Sequence, residues 1–375
     1  MAQYLLDVLY SLTTCMSCFP SSPNLAINGR SFKILSLLGE GGFSYVYLVQ
    51  DTDGKLYALK KIRCPFGQES VSKAVQEAEH YRRFAHPNLI KAVDYAIVSS
   101  SGRGSTTIGT APGGADDGGE KTVYILLPYF PRGNLQDAIN ANLVNHTAFP
   151  TKKLLRLFLG VCQGIKALHE HRLRSPGEVR AGVSDPLMNA ADAEAGEEGT
   201  LRAFVHRDIK PGNVMIADDG ETPVVMDFGS LAPSPISVTS RALALEIQDH
   251  AAENSTMPYR PPELFDVKTG SVLDDKVDIW SLGATLFCAL YGHSPFELET
   301  EESGGSLALA ICSGSYQFPE AGRLGARKPG QPPVPESVKD IVKMCLKVEP
   351  VDRPDINGLI KEVERVIGEL PDDEE

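Results

Sequence analysis

Two short stretches carry side chains whose types and offsets could do chemistry together. The first is His206-Arg207-Asp208-Ile209-Lys210-Pro211-Gly212-Asn213, and the second is Asp227-Phe228-Gly229. One presents a carboxylate, a lysine and an amide carbonyl in Asp208, Lys210 and Asn213; the other adds a second carboxylate, Asp227, beside a glycine. Such a pair of loops can hold a divalent metal against phosphate oxygens while a carboxylate orients a hydroxyl. Val214-Met215-Ile216, a turn at Asp218-Asp219-Gly220, and Pro223-Val224-Val225-Met226 lie between them and predict two short strands joined by a turn.

A second group of candidates lies upstream. Residues Phe32 to Arg63 read as three strands. Ile34 to Leu38 leads into Gly39-Glu40-Gly41-Gly42-Phe43-Ser44, then Tyr45 to Val49. A turn at Asp51 to Gly54 comes next, and then Leu56 to Ile62. Glycines between paired strands let backbone N–H groups approach phosphates without a Cβ in the way. Ala58-Leu59-Lys60 on the next strand places an amine near that loop. Val71 to Ala85 predicts a helix with the stripe Val71, Ala74, Val75, Ala78, Tyr81 and Ala85. Glu77 and Glu79 flank the stripe, and periodicity does not choose between them.

The remaining elements position these groups. Thr122 to Leu127 reads as a strand ending at Pro128-Tyr129-Phe130-Pro131. Thr151 to His171 predicts an amphipathic helix, with Leu154, Leu155, Phe158, Cys162, Ile165 and Leu168–His169 on or near one face. Arg241 to Ala252 holds good helix formers with Leu243, Ile247 and Ala251 in register. Asp278-Ile279-Trp280-Ser281-Leu282-Gly283 opens a buried helix with the only tryptophan. Residues 99–120 and 172–202 lack apolar periodicity and read as flexible insertions, and 368–375 as an acidic solvated tail.

Composition narrows the class. The chain has 375 residues, 42% of them hydrophobic, which is enough for a large core. A net charge of −13 argues against nucleic acid as the main partner. Seven cysteines without a disulfide framework indicate reducing surroundings, and Cys64, Cys162, Cys288 and Cys345 sit in apolar segments as small hydrophobes. Residues 1–30 read as an N-terminal membrane-anchoring segment: Leu5, Val8, Leu9 and Leu12 share a helical face, and Cys15 and Cys18 come next as candidates for S-palmitoylation. The apolar run is too short to span a bilayer, lacks a basic n-region, and has Ala2 where N-myristoylation needs glycine. A helix docked on the protein's own surface, or a frayed tail, is the competing reading.

Asp208, Lys210 and Asn213 in register, Asp-Phe-Gly one hairpin later, the glycine-rich hairpin and Lys60 together resemble a eukaryotic protein kinase. The resemblance implies a two-lobed α+β fold over 31–367, with an N-lobe at 31–127 and a C-lobe at 131–367. It implies ATP with Mg2+, or Mn2+, as cofactors and proteins with Ser or Thr as substrates. Asp208 would orient the acceptor hydroxyl, Lys210 steady the γ-phosphate, and Asn213 and Asp227 hold metal ions. Lys60 would clamp the α- and β-phosphates, and the family spacing to His86-Pro87-Asn88 selects Glu77 as its partner. Leu38, Gly39, Glu40, Gly41, Gly42, Val46, Ala58, Leu127, Pro128, Phe130 and Met215 would line the nucleotide site, with Leu127 as gatekeeper and backbone at Pro128 and Phe130 meeting adenine. Asp278 would hold the catalytic loop's backbone, and Arg353 would pair with Glu263.

Lys210 two places after Asp208, with Thr256 before Pro261-Pro262-Glu263, matches serine/threonine enzymes. Gly39 to Ser44, the helical segment after Asp-Phe-Gly-Ser and the paired cysteines resemble the Numb-associated kinase family. Its lipid-anchored serine/threonine branch has fungal members at vacuolar membranes. That likeness implies a place on the cytoplasmic face of a vacuole or Golgi membrane, with a cytosolic pool. Ser255, Thr256 and Tyr259 are phosphorylation candidates, with structural hydrogen bonding favoured for the last two. The alternative function is a pseudokinase or scaffold, although every charged residue the chemistry requires is present. Oligomeric state, substrate and peptide motif are not legible in the sequence.

Overall fold

The computed structural model describes residues 24–41, 43–65, 67–101, 105–109, 121–171, 203–319, 325 and 331–371. The architecture is α+β and divides into two compact units, Met1–Ala78 with Ala92–Tyr129, and Glu79–Lys91 with Phe130–Glu375.

The first unit is built on an antiparallel sheet of seven strands. These are β1 (Asn24–Ile27), β2 (Arg30–Gly41), β3 (Ser44–Asp51), β4 (Leu56–Cys64), β5 (Asp94–Ser101), β6 (Ser105–Gly109) and β7 (Lys121–Pro128), in the spatial order β1-β2-β3-β4-β7-β5-β6. Its core is Ile27, Phe32, Val49, Tyr57, Leu59, Ala96 and Leu126. Helix α1 (Gln68–Arg83) comes after β4, and the division between the units falls within it. Val71, Ala74, Val75, Ala78 and Tyr81 of the predicted stripe are buried. Ala85 is exposed beyond the helix end, and Phe84 is buried instead.

In this unit two boundaries differ from those expected of the sequence, and at the other end of the chain the helix Ile356–Glu369 runs into the tail expected from 368. The anchoring segment is expected over 1–30, but the sheet begins at Asn24. Asn28 and Gly29 form a two-residue turn with φ of 47° and 78°, and Ile27 pairs with Arg30 across it. Two positive φ values in an Asn-Gly turn match the twist of a hairpin, and Ile27 then enters the core at 1% exposure. The insertion at 99–120 begins as ordered backbone. β5 runs on to Ser101, and β6 pairs with it from Ile97↔Gly109 to Ser101↔Ser105. An edge strand offers unpaired backbone groups, and the β-branched residues Thr106, Thr107 and Ile108 favour extended chain. Residues 102–104 and 110–120, the insertion at 172–202, residues 1–23, Gly42, and 372–375 of the acidic tail lie outside the described residues.

The second unit is mainly helical. Helix α2 (Leu135–Asn145) starts in a capping box, with the Asn134 side chain accepting from Asp137 N–H and the Asp137 side chain accepting from Asn134 N–H. Helix α3 (Thr151–His169) buries the whole predicted face from Leu154 to Leu168. It crosses β10 so closely that a Cβ on Gly160 would lie 2.7 Å from Pro223. The strands here are short: β8 (Ala203–Val205), β9 (Val214–Ile216), β10 (Pro223–Val225), β11 (Ala232–Ser234), β12 (Ile236–Ser237) and β13 (Val272–Leu273). They pair as β9 with β10, β8 with β11, and β12 with β13.

Helix α4 (Arg241–Asn254) is capped by Ser240, whose side chain accepts from Leu243 N–H. It buries Ala244, Ile247 and Ala251 against Val205, Val238, Leu264, Val267, Leu273 and Val277, with Leu243 at the margin. Helix α5 (Lys276–Tyr291) is buried from Val277 to Tyr291. Helices α6 (Pro295–Ser303), α7 (Leu307–Ser313), α8 (Glu336–Cys345) and α9 (Ile356–Glu369) complete the unit.

A buried cation ties the end of the chain to α5. Arg353 is 2% exposed and grips Glu263 through Nη1–Oε1 at 2.7 Å and Nη2–Oε2 at 2.8 Å. Its remaining donors reach the carbonyls of Lys276, Lys347 and Val348. Every guanidinium N–H is thereby used, which is what makes so deep a charge tolerable. No helix among the described residues is long and apolar enough to cross a membrane.

Candidate active site

Strand register sorts the candidates of the first unit. Tyr57 and Leu59 of β4 point into the core, so Ala58 and Lys60 face the other side. Lys60 stands opposite Val46 on β3 and Ile125 on β7, and Ala58 stands opposite Leu127. Val46, Ala58, Lys60 and Leu127 therefore share one face of the sheet. On that face the Lys60 Nζ donates to Glu77 Oε1 of α1 at 2.6 Å. Glu79 instead lies 3.7 Å from Arg82 at the helix surface.

Pairing of β2 with β3 continues through Gly39↔Val46, Glu40↔Tyr45 and Gly41↔Ser44, with a register shift at Leu38. Neither backbone angle nor crowding requires glycine at 39 or 41: a Cβ on Gly39 would meet nothing, and one on Gly41 only Ser44 Oγ at 3.3 Å. The open space beside those backbones fits close approach by a phosphate. Pro128, the last residue of β7, pairs with Tyr57 and offers a carbonyl but no N–H.

The charged residues of the second unit converge on Asp208. Its Oδ1 accepts from Thr256 N–H at 2.8 Å and from the Thr256 hydroxyl at 2.7 Å. Its Oδ2 accepts from Lys210 Nζ at 2.8 Å and Asn213 Nδ2 at 3.0 Å. Lys210 Nζ also donates to Thr256 Oγ1 at 2.6 Å. The Asn213 amide donates a second bond to the Asp208 carbonyl at 2.8 Å, which commits its nitrogen and leaves its oxygen as an acceptor.

Two further bonds clasp this loop to the strand that leads into Asp227. Met226 N–H donates to the Asn213 carbonyl at 2.9 Å. Asp208 N–H donates to His206 Nδ1 at 3.3 Å, so the ring proton sits on Nε2 and faces the Met226 carbonyl at 3.0 Å. Asp227 itself has φ of 68°, a left-handed backbone. An amide oxygen and a carboxylate oxygen fixed on clasped backbones are the donor chemistry of a hard divalent cation. Met215 lies on β9 opposite Val224, with a bridge to Asn134.

Asp278, fully buried on α5, holds the loop from behind. Its Oδ2 accepts from His206 N–H at 2.8 Å and its Oδ1 from Arg207 N–H at 2.9 Å. His169 Nε2 donates to Oδ2 at 2.8 Å. Burial alone raises this carboxyl, but the His169 bond, the two nearby histidines and the backbone donor together hold it below the usual range. The grip accounts for the left-handed φ of 67° at Arg207. Burial lowers the Arg207 guanidinium, and the Asp278 charge opposes that shift.

Phe228 is packed by rings. Tyr81 stacks on it at 5.0 Å, and Phe84 and His206 meet it edge-on at 5.9 Å. His80 lies edge-on to Phe204, and burial pushes its imidazole down to about 4, with Arg83 adding and a Phe228 backbone hydrogen bond opposing.

The structure gathers Asp208, Lys210, Asn213 and Thr256 in one cluster and Lys60 with Glu77 in another. Phe130 begins the second unit, and its carbonyl accepts from Gly133 N–H at 3.1 Å. Cys15, Cys18 and Gly42 are outside the described residues. The Ser255 hydroxyl donates to the Ala251 carbonyl at 2.7 Å, and Tyr259 is buried with its hydroxyl held against Cys288. Sequence reasoning gives no role to His169, Ser230 or Arg260. Periodicity puts His169 with an apolar face, and only a polar group ending a buried stripe marks it out.

The protein kinase domain family model matches residues 32–174 and 201–363. This chain belongs to the protein kinase family. It is 34% identical to serine/threonine-protein kinase ENV7 of Saccharomyces cerevisiae, over 96% of this chain and 98% of that protein. Serine/threonine-protein kinase ppk13 of Schizosaccharomyces pombe is 36% identical over 97% and 98%. Serine/threonine-protein kinase 16 of Homo sapiens is 30% identical over 92% and 94%. The fold is the two-lobed α+β kinase fold, and the enzyme is a serine/threonine protein kinase that uses ATP and a divalent metal on protein substrates. The stretch between the matched segments, 175–200, falls inside the insertion read at 172–202.

Proposed function

We propose that this kinase transfers the γ-phosphate of ATP with Asp208 as the residue that orients the acceptor hydroxyl and can take its proton. The observation that carries the reading is the convergence of Lys210, Asn213 and Thr256 on the Asp208 carboxylate. Lys210, already bonded to that carboxylate, brings positive charge to the γ-phosphate oxygens. Lys60, steadied by Glu77, meets the α- and β-phosphates, and the Gly39 to Gly41 backbone lies along them. Magnesium, or manganese, held by the Asn213 amide oxygen and the Asp227 carboxylate would draw charge from the phosphate oxygens. Rate then comes from positioning and electrostatics more than from covalent chemistry. Asp208→Asn is expected to lower phosphotransfer to a generic basic protein by about 10²–10⁴-fold in a protein that still melts cooperatively, with part of its stability lost because an amide replaces a buried acceptor. A purified variant running near the wild-type rate would overturn the assignment.

The same reading places the kinase on the cytoplasmic face of an internal membrane, vacuole or Golgi, with a cytosolic pool and a role in membrane trafficking. Its support is the apolar run at Leu5 to Leu12 with Cys15 and Cys18 just after it, together with the resemblance to the lipid-anchored branch of Numb-associated kinases. S-palmitoylation of those cysteines is the proposed tether. A palmitate analogue should label the wild type and not a Cys15→Ser, Cys18→Ser double variant; equal labelling of both removes the tether.

A further inference from the structure

Helix α4 ends without the usual device. The residue after it, Ser255, has φ of −122°, so no left-handed glycine turns the chain and satisfies the last carbonyls. Two buried side chains from outside the helix do so instead. Arg260, 7% exposed, donates through Nη2 to the Ser255 carbonyl at 2.8 Å and the Ala252 carbonyl at 3.4 Å, and through Nε to Ser255 Oγ at 2.8 Å. Ser230, also 7% exposed, donates its hydroxyl to the Asn254 carbonyl at 2.5 Å. Arg260 lies over the Phe265 ring at 5.0 Å and has no carboxylate within ion-pair distance among the described residues. A buried guanidinium therefore spends its donors on the negative end of a helix. Burial lowers it, and the charge of Asp208 acts against that shift, which puts it within the electrostatic reach of the site.

The neighbours of the capped end connect it to the site. Thr256 is the next residue after Ser255, and it supplies both donors to Asp208 Oδ1. Ser230 is the third residue after Asp227. The cap thus joins the loop of the proposed metal ligand to the helix end that delivers Thr256. We infer that Ser230 and Arg260 are positioning residues that hold the end of α4 so that Thr256 stays on the Asp208 carboxylate. This role rests on the proposed role of Asp208, and an Asp208→Asn control tells the two apart.

Arg260→Met keeps most of the side chain's volume and removes its donors. Ser230→Ala removes the hydroxyl, and Ser230→Thr keeps it. Arg260→Met and Ser230→Ala are each expected to lower kcat about tenfold or more with KM for ATP within about twofold, and Ser230→Thr to recover most of the rate. In a Thr256→Val background the loss from Arg260→Met should largely vanish, because the cap acts through Thr256. If the Arg260 and Thr256 losses simply multiply, or KM for ATP moves as much as kcat, the positioning role is overturned. Should Arg260→Met fail to fold, the same cycle run with Ser230→Ala and Ser230→Thr decides between these outcomes. Asp208→Asn, run alongside, isolates the other failure: an active Asp208→Asn removes the catalytic role of Asp208, whereas an inactive one beside multiplicative losses removes only the cap.

Discussion

Lys60 in the first unit and Asp208 in the second meet their partners in opposite ways. Lys60 and Glu77 reach each other from a strand and a helix with long side chains, 16% and 11% exposed. Such chains carry rotamer entropy of about 1.5–2 kcal/mol each when fixed, and the contact depends on where the helix lies. Asp208 is a short acid in a loop whose backbone is itself gripped, by Asp278 at His206 and Arg207 and by Met226 at Asn213. One pair meets only at the tips of two long side chains; the other centres on an acid whose own main chain is held in place.

The strongest way to break that contrast is Asp278→Asn. An amide there sets one NH2 group against donors that need an acceptor, and the expected loss is about 3–5 kcal/mol of stability, read as a lower urea midpoint together with lost activity. An unchanged midpoint would show that the loop does not depend on the grip.

Next in size is His80, on the turn of α1 that belongs to the second unit. Its folded-state value of about 4 lies below the unfolded 6.5. The neutral ring's contribution is fully present above pH 6.5 and is lost as the pH falls toward 4, because the unfolded chain then binds the proton first. The loss is about 3 kcal/mol. His80→Phe should flatten the fall in melting temperature over that window, and a parallel curve would exclude His80 as a source.

The smallest effect sharpens the comparison on its other side. Glu77→Gln should cost about 1–2 kcal/mol of stability, less than Asp278→Asn because the pair is only part-buried, and lower kcat/KM for ATP about tenfold. A large fall in stability instead would make the pair a structural tie like that of Asp278.

Features set by local pattern are legible in the sequence. The helices α1, α3 and α4 obey stripes of apolar residues, and β2, β3 and β4 are marked off by turns at Gly39 to Ser44 and Asp51 to Gly54. The Asn28-Gly29 turn is a local signal too, and the anchoring segment drawn over 1–30 runs through it, which is why that boundary falls short at Asn24. Helix α4 keeps its predicted period but is turned slightly, with Ala244 buried and Leu243 marginal, because the surrounding Val238, Leu264 and Val267 choose the face. Partners across long chain separations are the illegible part. His169 meets Asp278, and Ser230 meets Asn254, by tertiary contacts that no local period encodes. Asp208, Lys210 and Asn213 stand out because their offsets are short and their chemistry is distinctive.

The early start of the sheet has a spatial consequence. β1 is one of its two edge strands, and only six peptide links separate Cys18 from Asn24. Fully stretched, that leash measures about 20 Å. An acyl chain on Cys18 would therefore moor the catalytic body almost against the lipid headgroups, and its reach would favour hydroxyls displayed on the same bilayer over those diffusing in bulk.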